Sequence, residues 1–362
     1  MRYREKGEKD MQRNKIIVPT GYMGSGSSVV TDLVSEFEGF EASRGTFEYV
    51  FLHCPNGVFD LEDKLLVGNN AIRSDEALHS FYTTMKELYD KKYWWVGHYN
   101  EIVGEEFLDI TKKYIEELIH HKPEFYWYYQ ENTNIRMFFQ LLLNRIVKML
   151  TLNRVRTRKP LTHPQMWLSY VSPQEFYEKT KKYIATIMDE LGSKEKNIIL
   201  DQLLLPFNLH RIDNYFVDNI EVFVVDRDPR DMFLMNKYVY AKNNEPVPYS
   251  TNVHEFCDCY RRLRQMEKEC HSQHVHRFKF EDFIYRYDEM VEKVQQILGD
   301  GEKVPEHILK KTCFIPEKSI NNTQVFYSQS IYEEETKVIE RLLPEYFYDF
   351  PYQRAGKSEE MF

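Results

Sequence analysis

Two stretches of this sequence combine residue types that grip anions. The first is Gly21 to Ser28 (GYMGSGSS), which has the spacing G-x-x-x-x-G-x-S of a phosphate-binding loop. Such a loop turns backbone N–H groups inward, and the N-terminus of the helix that follows adds its positive end. Gly24, Ser25 and Gly26 form the turn, while Ser27 and Ser28 offer hydroxyl donors to the same oxyanion. The nucleotide-hydrolase form of this loop carries Lys after the second glycine, and here Ser27 stands there, which weighs against an ATPase or GTPase. A plain turn joining a strand to a helix would have the same composition. The second stretch is Glu221 to Asp231 (EVFVVDRDPRD), which places Arg227 just past a strand-like run. Ligands of parallel sheets bind at that edge, and an Arg there can take a phosphate with two parallel N–H bonds. The competing reading is a solvated turn in which Arg227 and Arg230 pair with Asp226, Asp228 and Asp231.

The surrounding elements must position these residues. Lys15 to Pro19 (KIIVP) is too short for a helix and has the length of a buried strand; after the glycine loop, Val29, Val30, Leu33, Val34 and Phe37 recur at helical spacing. A second apolar run, Phe47 to Leu52, ends in the turn signal Pro55-Asn56-Gly57. From about Asp75 to Leu152 the pattern is helical and rich in aromatics (Trp94, Trp95, Tyr99, Phe125 to Tyr129), which reads as a helical insertion packed by its rings. A basic turn, Arg154 to Lys159, and a helix from Pro173 to Leu191, closed by Gly192, follow. Alternation then resumes. Asn197 to Leu200 is a strand closed by Asp201 and Gln202, and a short helix near Phe207 to Val217 leads to the strand Glu221 to Val225. Pro229 suits a first helical turn. A helix near Asn252 to His271, a strand near His274 to Phe280, a helix from Glu281 to Leu298, a polar loop from Pro316 to Ser330 and a last helix near Tyr332 to Leu343 complete the chain. Strands separated by helices predict an α/β fold: a three-layer parallel sheet of the phosphate-loop type, flanked by helices, with the insertion at about 75–152. The organisation expected is a charged tail over 1–14 and a single domain over 15–362.

Composition narrows the class. With 362 residues, 42% hydrophobic and 29% charged, the chain reads as soluble and globular. Its formal net charge of −9 excludes a broad nucleic-acid-binding surface but leaves room for a local basic pocket. Five Cys without framework spacing suggest free thiols in a reducing compartment. The pairs His120/His121 and His274/His276 lack a further ligand at metal spacing, so no metal is expected. The N-terminus lacks a signal-peptide core and no run is long enough to span a bilayer, so the expected location is cytoplasmic.

The motifs, in this order, resemble the sulfotransferases that use 3′-phosphoadenosine 5′-phosphosulfate, especially bacterial ones. The resemblance covers about residues 15–60 and 195–345. It implies that the strand, loop and helix over Lys15 to Val34 grip the 5′-phosphosulfate and that Arg227 grips the 3′-phosphate. Phe278 to Phe283 (FKFEDF) resembles a later strand followed by Y-E-D-L. Pro316 to Asn322 (PEKSINN), with Lys318, resembles a segment that covers the cofactor. The implied partners are the nucleotide donor and a hydroxyl acceptor, a glycan or polysaccharide precursor. Three positions depart from the family pattern. Gly24 stands where a loop Lys or Arg is usual, Met235 where a Ser is, and Leu200-Asp201-Gln202 where a Lys-x-His pair is.

Sulfuryl transfer, like phosphoryl transfer, is an in-line displacement that needs donors on the equatorial oxygens, a base for the acceptor hydroxyl, and alignment. The missing loop cation would come from Arg44, Lys237 or Lys318. Asp201, at a strand end facing the sheet edge, is one candidate base. Glu48 is another, after the first helix, where some relatives carry a catalytic Glu; His53 reads as a packing residue. A phosphate-loop kinase or hydrolase, with Asp226 as its metal-binding strand end, and a silent nucleotide-binding relative are the competing functions.

Overall fold

The computed structural model describes residues 14–42, 47–90, 96–123, 135–152, 154–155, 165–191, 197–216, 219–243, 245, 247–299 and 303–353. The β-branched run after Lys15 forms β1 (Ile16–Gly21), buried along nearly its whole length. A strand buried on both faces carries no polar alternation, and IIVPTG fits that pattern. The glycine loop leads to α1 (Ser28–Val34), then β2 (Phe40–Ala42). A helical lobe follows: α2 (Val58–Leu66), α3 (Ala71–Asp90), α4 (Tyr99–Ile102), α5 (Phe107–Leu118), α6 (Ile135–Leu150) and α7 (Pro173–Leu191). The chain then returns to the sheet through β3 (Asn197–Ile199), α8 (Ile212–Tyr215), β4 (Ile220–Asp226), α9 (Pro229–Leu234), α10 (Val253–Gln265) and β5 (Val275–Lys279). It closes with α11 (Asp282–Tyr285), α12 (Tyr287–Leu298), α13 (Pro316–Ser319) and α14 (Glu333–Leu342).

The five strands are all parallel, in the order β2-β3-β1-β4-β5. Side-chain alternation sends Ile16, Val18, Val222 and Val224 into one core, shared with Phe81, Tyr114 and Tyr183 of the helical lobe. Ile17, Phe223 and Val225 face the other way, into a core built with Val30 and Leu33 of α1 and Val294 of α12. The α/β expectation therefore holds, with helices on both faces. In this strand order β1 lies between β3 and β4, so the chain leaves β1 toward β2 on one side and later passes from β3 to β4 on the other. A crevice opens at such a point, outside the carboxyl ends of the strands.

Several boundaries differ from the sequence reading. The apolar run Phe47–Leu52 is not a strand: it ends in turns and packs Phe47, Tyr49 and Phe51 into the core. The second strand is the three-residue Phe40–Ala42 instead, paired with β3 from Phe40↔Asn197 to Ala42↔Ile199. The helix expected over 281–298 breaks at Arg286. The helical insertion is present, and several of its described rings pack as a core, whereas Phe138 and Phe139 of α6 are exposed: Tyr114 stacks on Tyr183 at 4.3 Å, and Tyr99 is fully buried. Trp94, Trp95, Phe125 to Tyr129 and the end of the basic turn lie outside the described residues. All five cysteines are free, and no described helix is long and apolar enough to cross a membrane.

One buried carboxylate ties the late loop to the first helix. Glu36, just past α1, accepts the backbone N–H groups of Thr312, Cys313 and Phe314 at 2.8, 2.8 and 3.0 Å, and His307 Nε2 at 2.6 Å. That anchor sets the course of the chain into α13. Removing it unpairs several donors at once, one of them the buried Phe314 N–H, and an unsatisfied buried donor costs about 1–3 kcal/mol. Glu36→Ala is expected to lose at least about 3 kcal/mol of unfolding free energy in a urea titration. A loss under about 1 kcal/mol would mean that water replaces the carboxylate without penalty.

Candidate functional site

The glycine loop is built by close approach. A methyl placed on Gly21 would lie 2.3 Å from Ser25 Oγ and 2.5 Å from the Val225 carbonyl oxygen, so only glycine lets β1 turn there. Gly26 adopts φ +81, and a methyl on it would strike the Phe280 ring at 2.8 Å. Within the loop the Ser25 N–H donates to the Tyr22 carbonyl at 2.8 Å, and Val29 N–H to Gly26 at 3.1 Å. The N–H groups of Gly24, Gly26, Ser27 and Ser28 meet no acceptor among the described residues. These are the open donors that an oxyanion requires. The Ser25 hydroxyl is 1% exposed and unpartnered, packed against Gly21 beneath the loop. The Ser27 hydroxyl accepts from Gln202 Nε2 at 3.1 Å, and Ser28 is exposed.

The end of β4 meets this loop. Arg227 is only 6% exposed; its Nη1 donates to the Gly24 carbonyl at 3.3 Å and its Nη2 to the Asn322 carbonyl at 2.5 Å. The guanidinium lies 4.8 Å from the centre of the Phe280 ring, and its buried Nε has no acceptor. The neighbouring charges are divided differently from the solvated turn that the sequence also allowed. Arg230 grips Asp228 with two bonds, at 2.9 and 2.8 Å, and lies 4.0 Å from the Phe326 ring and 4.2 Å from the Phe347 ring. Asp231 accepts the N–H groups of Gln324 and Val325 at 2.8 and 2.7 Å. Asp226 is held by Arg264 at 2.9 Å and Lys279 at 3.0 Å. Arg227 alone of the two arginines is left with backbone carbonyls. Behind it, Glu281 is buried, its Oε1 accepting the Asp228 N–H at 2.8 Å and its Oε2 unpartnered. Burial pushes its carboxyl up to about 8, and Arg227 opposes that rise.

Across β1, Asp201 follows β3 and accepts from Thr31 Oγ1 of α1 at 2.5 Å. Burial raises its carboxyl to about 6, against the Thr31 bond and with help from the charges of Glu48 and Asp32. Glu48 is raised by burial as well. Gln202, at φ +58, joins the two sides: it accepts from Thr20 Oγ1 at 3.1 Å, holds Ser27, and its carbonyl takes His53 Nε2–H at 2.8 Å. Burial lowers the His53 basicity, and the Gln202 carbonyl, which can only accept, makes Nε2 the donor. Set beside known proteins, the chain matches no family model, no curated protein and no solved structure.

The structure thus brings Gly24 to Ser28 and Arg227 into contact, and Asp201 and Glu48 into mutual influence across the same strand. It separates the cation candidates. Lys237 is locked to Glu335 and lies against Phe233 and Tyr238. Lys318 is exposed on α13, in the segment whose Asn322 carbonyl covers Arg227, and Arg44 lies outside the described residues. Sequence reasoning passed over Gln202 and Glu281. Gln202 is visible in the sequence only as a strand closer, while Glu281 sits inside FKFEDF, where an acidic pair, Glu281-Asp282, between two Phe is the available signal.

Asp201 also makes stability depend on pH. Its folded value, near 6, lies above the unfolded one, so the folded state holds the proton more tightly. That contribution is complete below about pH 4 and is lost as pH rises through 6, amounting to roughly 3 kcal/mol. Asp201→Asn is expected to flatten this part of the stability profile between pH 4 and 7 in denaturant titrations. Parallel profiles for the two proteins would assign the shift to another group.

Proposed function

We propose that this chain is a sulfotransferase that moves a sulfuryl group from 3′-phosphoadenosine 5′-phosphosulfate to a hydroxyl, on a glycan or polysaccharide precursor. The observation that carries the reading is the contact between the glycine loop and Arg227 at the carboxyl edge of a parallel sheet. Open loop amides and a buried guanidinium with an unused Nε–H suit a ligand carrying two separate anionic groups. The loop would take the 5′-phosphosulfate and Arg227 the 3′-phosphate.

In this scheme the loop amides stabilise charge on the equatorial oxygens during in-line transfer. Asp201 or Glu48 receives the acceptor proton. A carboxylate raised toward 6 is still mostly ionised at neutral pH and is a stronger base than an ordinary one, which suits that role. Lys318, exposed beside the covering segment, supplies the cation that Gly24 does not. Asp226, engaged by Arg264 and Lys279, supports this reading over one in which it holds a metal.

Ligand choice tests the reading before the acceptor is known. 3′,5′-Bisphosphoadenosine should raise the melting temperature more than ADP or ATP, with a stabilisation of about 2.7 kcal/mol at one hundred times its dissociation constant. Mg²⁺ should change little. Arg227→Ala should weaken that binding by about 1.5–3 kcal/mol. A melt moved by ATP with Mg²⁺ and unmoved by the bisphosphate would replace the sulfotransferase with a kinase.

With an acceptor in hand, Asp201→Asn and Glu48→Gln separate the two carboxylates. The base should lose about 10²–10⁴-fold in turnover with donor affinity nearly kept. If neither loses tenfold, both are structural.

A further inference from the structure

The helix α6 takes no part in the site described above, and its surface is unusual. Ile135, Phe138, Phe139, Leu142, Ile146 and Met149 recur at steps of three and four, which places them on one face. Such a face normally packs into a core. Here it is exposed: Phe138 is 65% and Met149 71% accessible, and Leu150 and Leu152 beyond them are more open still. Contiguous apolar surface of this kind marks an interaction site.

The charges that lie near the helix in sequence say what the partner is. Between Asn132 and Gln174 the sequence has no Asp or Glu, while it has seven Lys and Arg: Arg136, Arg145, Lys148, Arg154, Arg156, Arg158 and Lys159. The whole chain has 57 acidic residues against 48 basic ones, so an acid-free stretch of this length stands against its composition. Arg145, Lys148 and Arg154 are exposed, the first two on the apolar helix itself. We infer that α6 is an interfacial helix that docks the protein on an anionic lipid surface. Its apolar face would enter the acyl boundary, and its cations would stay at the headgroups on extended side chains. At 16 residues with three cations it is too short and too charged to cross a bilayer, so it lies in the plane.

The same features disfavour a second copy as the occupant. Self-paired α6 helices would bring like charges together with no acid on either helix to answer them. A nucleic acid would satisfy the cations but leave the apolar face in water. The inference does not rest on the proposed chemistry, because α6 shares no residue with the loop, Arg227 or Asp201.

Vesicle flotation tests it with the full chain. Wild-type protein should float with vesicles of equal parts phosphatidylcholine and phosphatidylglycerol, and much less with phosphatidylcholine alone. Raising salt should release it. Phe139→Glu combined with Ile146→Glu should weaken binding at least about tenfold by removing the inserted face. Reversing Arg145, Lys148 and Arg154 to Glu should abolish the preference for the anionic vesicles. Both variants alter exposed side chains and should keep the wild-type melting temperature and its shift with bisphosphate. Failure of wild type to float, or equal flotation by the variants, would overturn the inference. So would a wild-type dimer in sedimentation that the apolar variant dissociates while neither binds vesicles.

Discussion

A guanidinium buried in a protein has to find acceptors for donors that water would otherwise satisfy, and Arg227 finds them on segments that are far apart in the chain. One Nη reaches the Gly24 carbonyl, the other the Asn322 carbonyl, and its plane lies near the Phe280 ring. The loops after β1, β4 and β5 and the late segment after α13 therefore meet at one side chain. Among the described residues no carboxylate bonds it directly, although its charge reaches Asp231. Asp228 is consumed by Arg230, and Glu281 is raised by burial until it keeps its proton near neutral pH. A cation left with neutral dipoles in a low-dielectric setting projects a stronger field than one in a salt bridge.

The next layer of charge steadies that centre. Asp226 is bound from two sides by Arg264 and Lys279, and Arg264 in turn lies 3.9 Å from the Tyr22 ring in the glycine loop. The loop is thus braced from below by Val225 and Ser25, from the side by Phe280, and at its start by Tyr22. Rigid loops of this kind lose little entropy when they order around a ligand.

Much of this was legible in the residues. Buried parallel strands are β-branched runs without polar alternation, so Lys15 to Pro19 and Glu221 to Val225 stood out, as did the glycine loop and the Arg that ends β4. Asp201 and Glu48 are legible as candidate carboxylates, and in the structure the charge of Glu48 acts on Asp201. What escaped was set by distant contacts. Phe40–Ala42 is three residues long and becomes a strand because β3 supplies its partners, not because FEA favours one. Gln202 gains its bridging role only when β1 and β3 lie side by side. Glu36 looks like any surface Glu until residues 307–314 fold over it.

The place of β1 in the sheet has a consequence for assembly. Ile16 pairs with Ile198 on one side and Ile220 on the other, so its ladders close loops of 182 and 204 residues. The helical lobe between them shares a core with the sheet, and the pairing of β1 has to wait for its partners to be made. At roughly 5–20 residues per second of synthesis, an apolar strand edge stays unpaired for on the order of ten seconds or more. The glycine loop therefore reaches its working shape only after strands some two hundred residues further along have been made, which exposes its maturation, rather than its final stability, to aggregation.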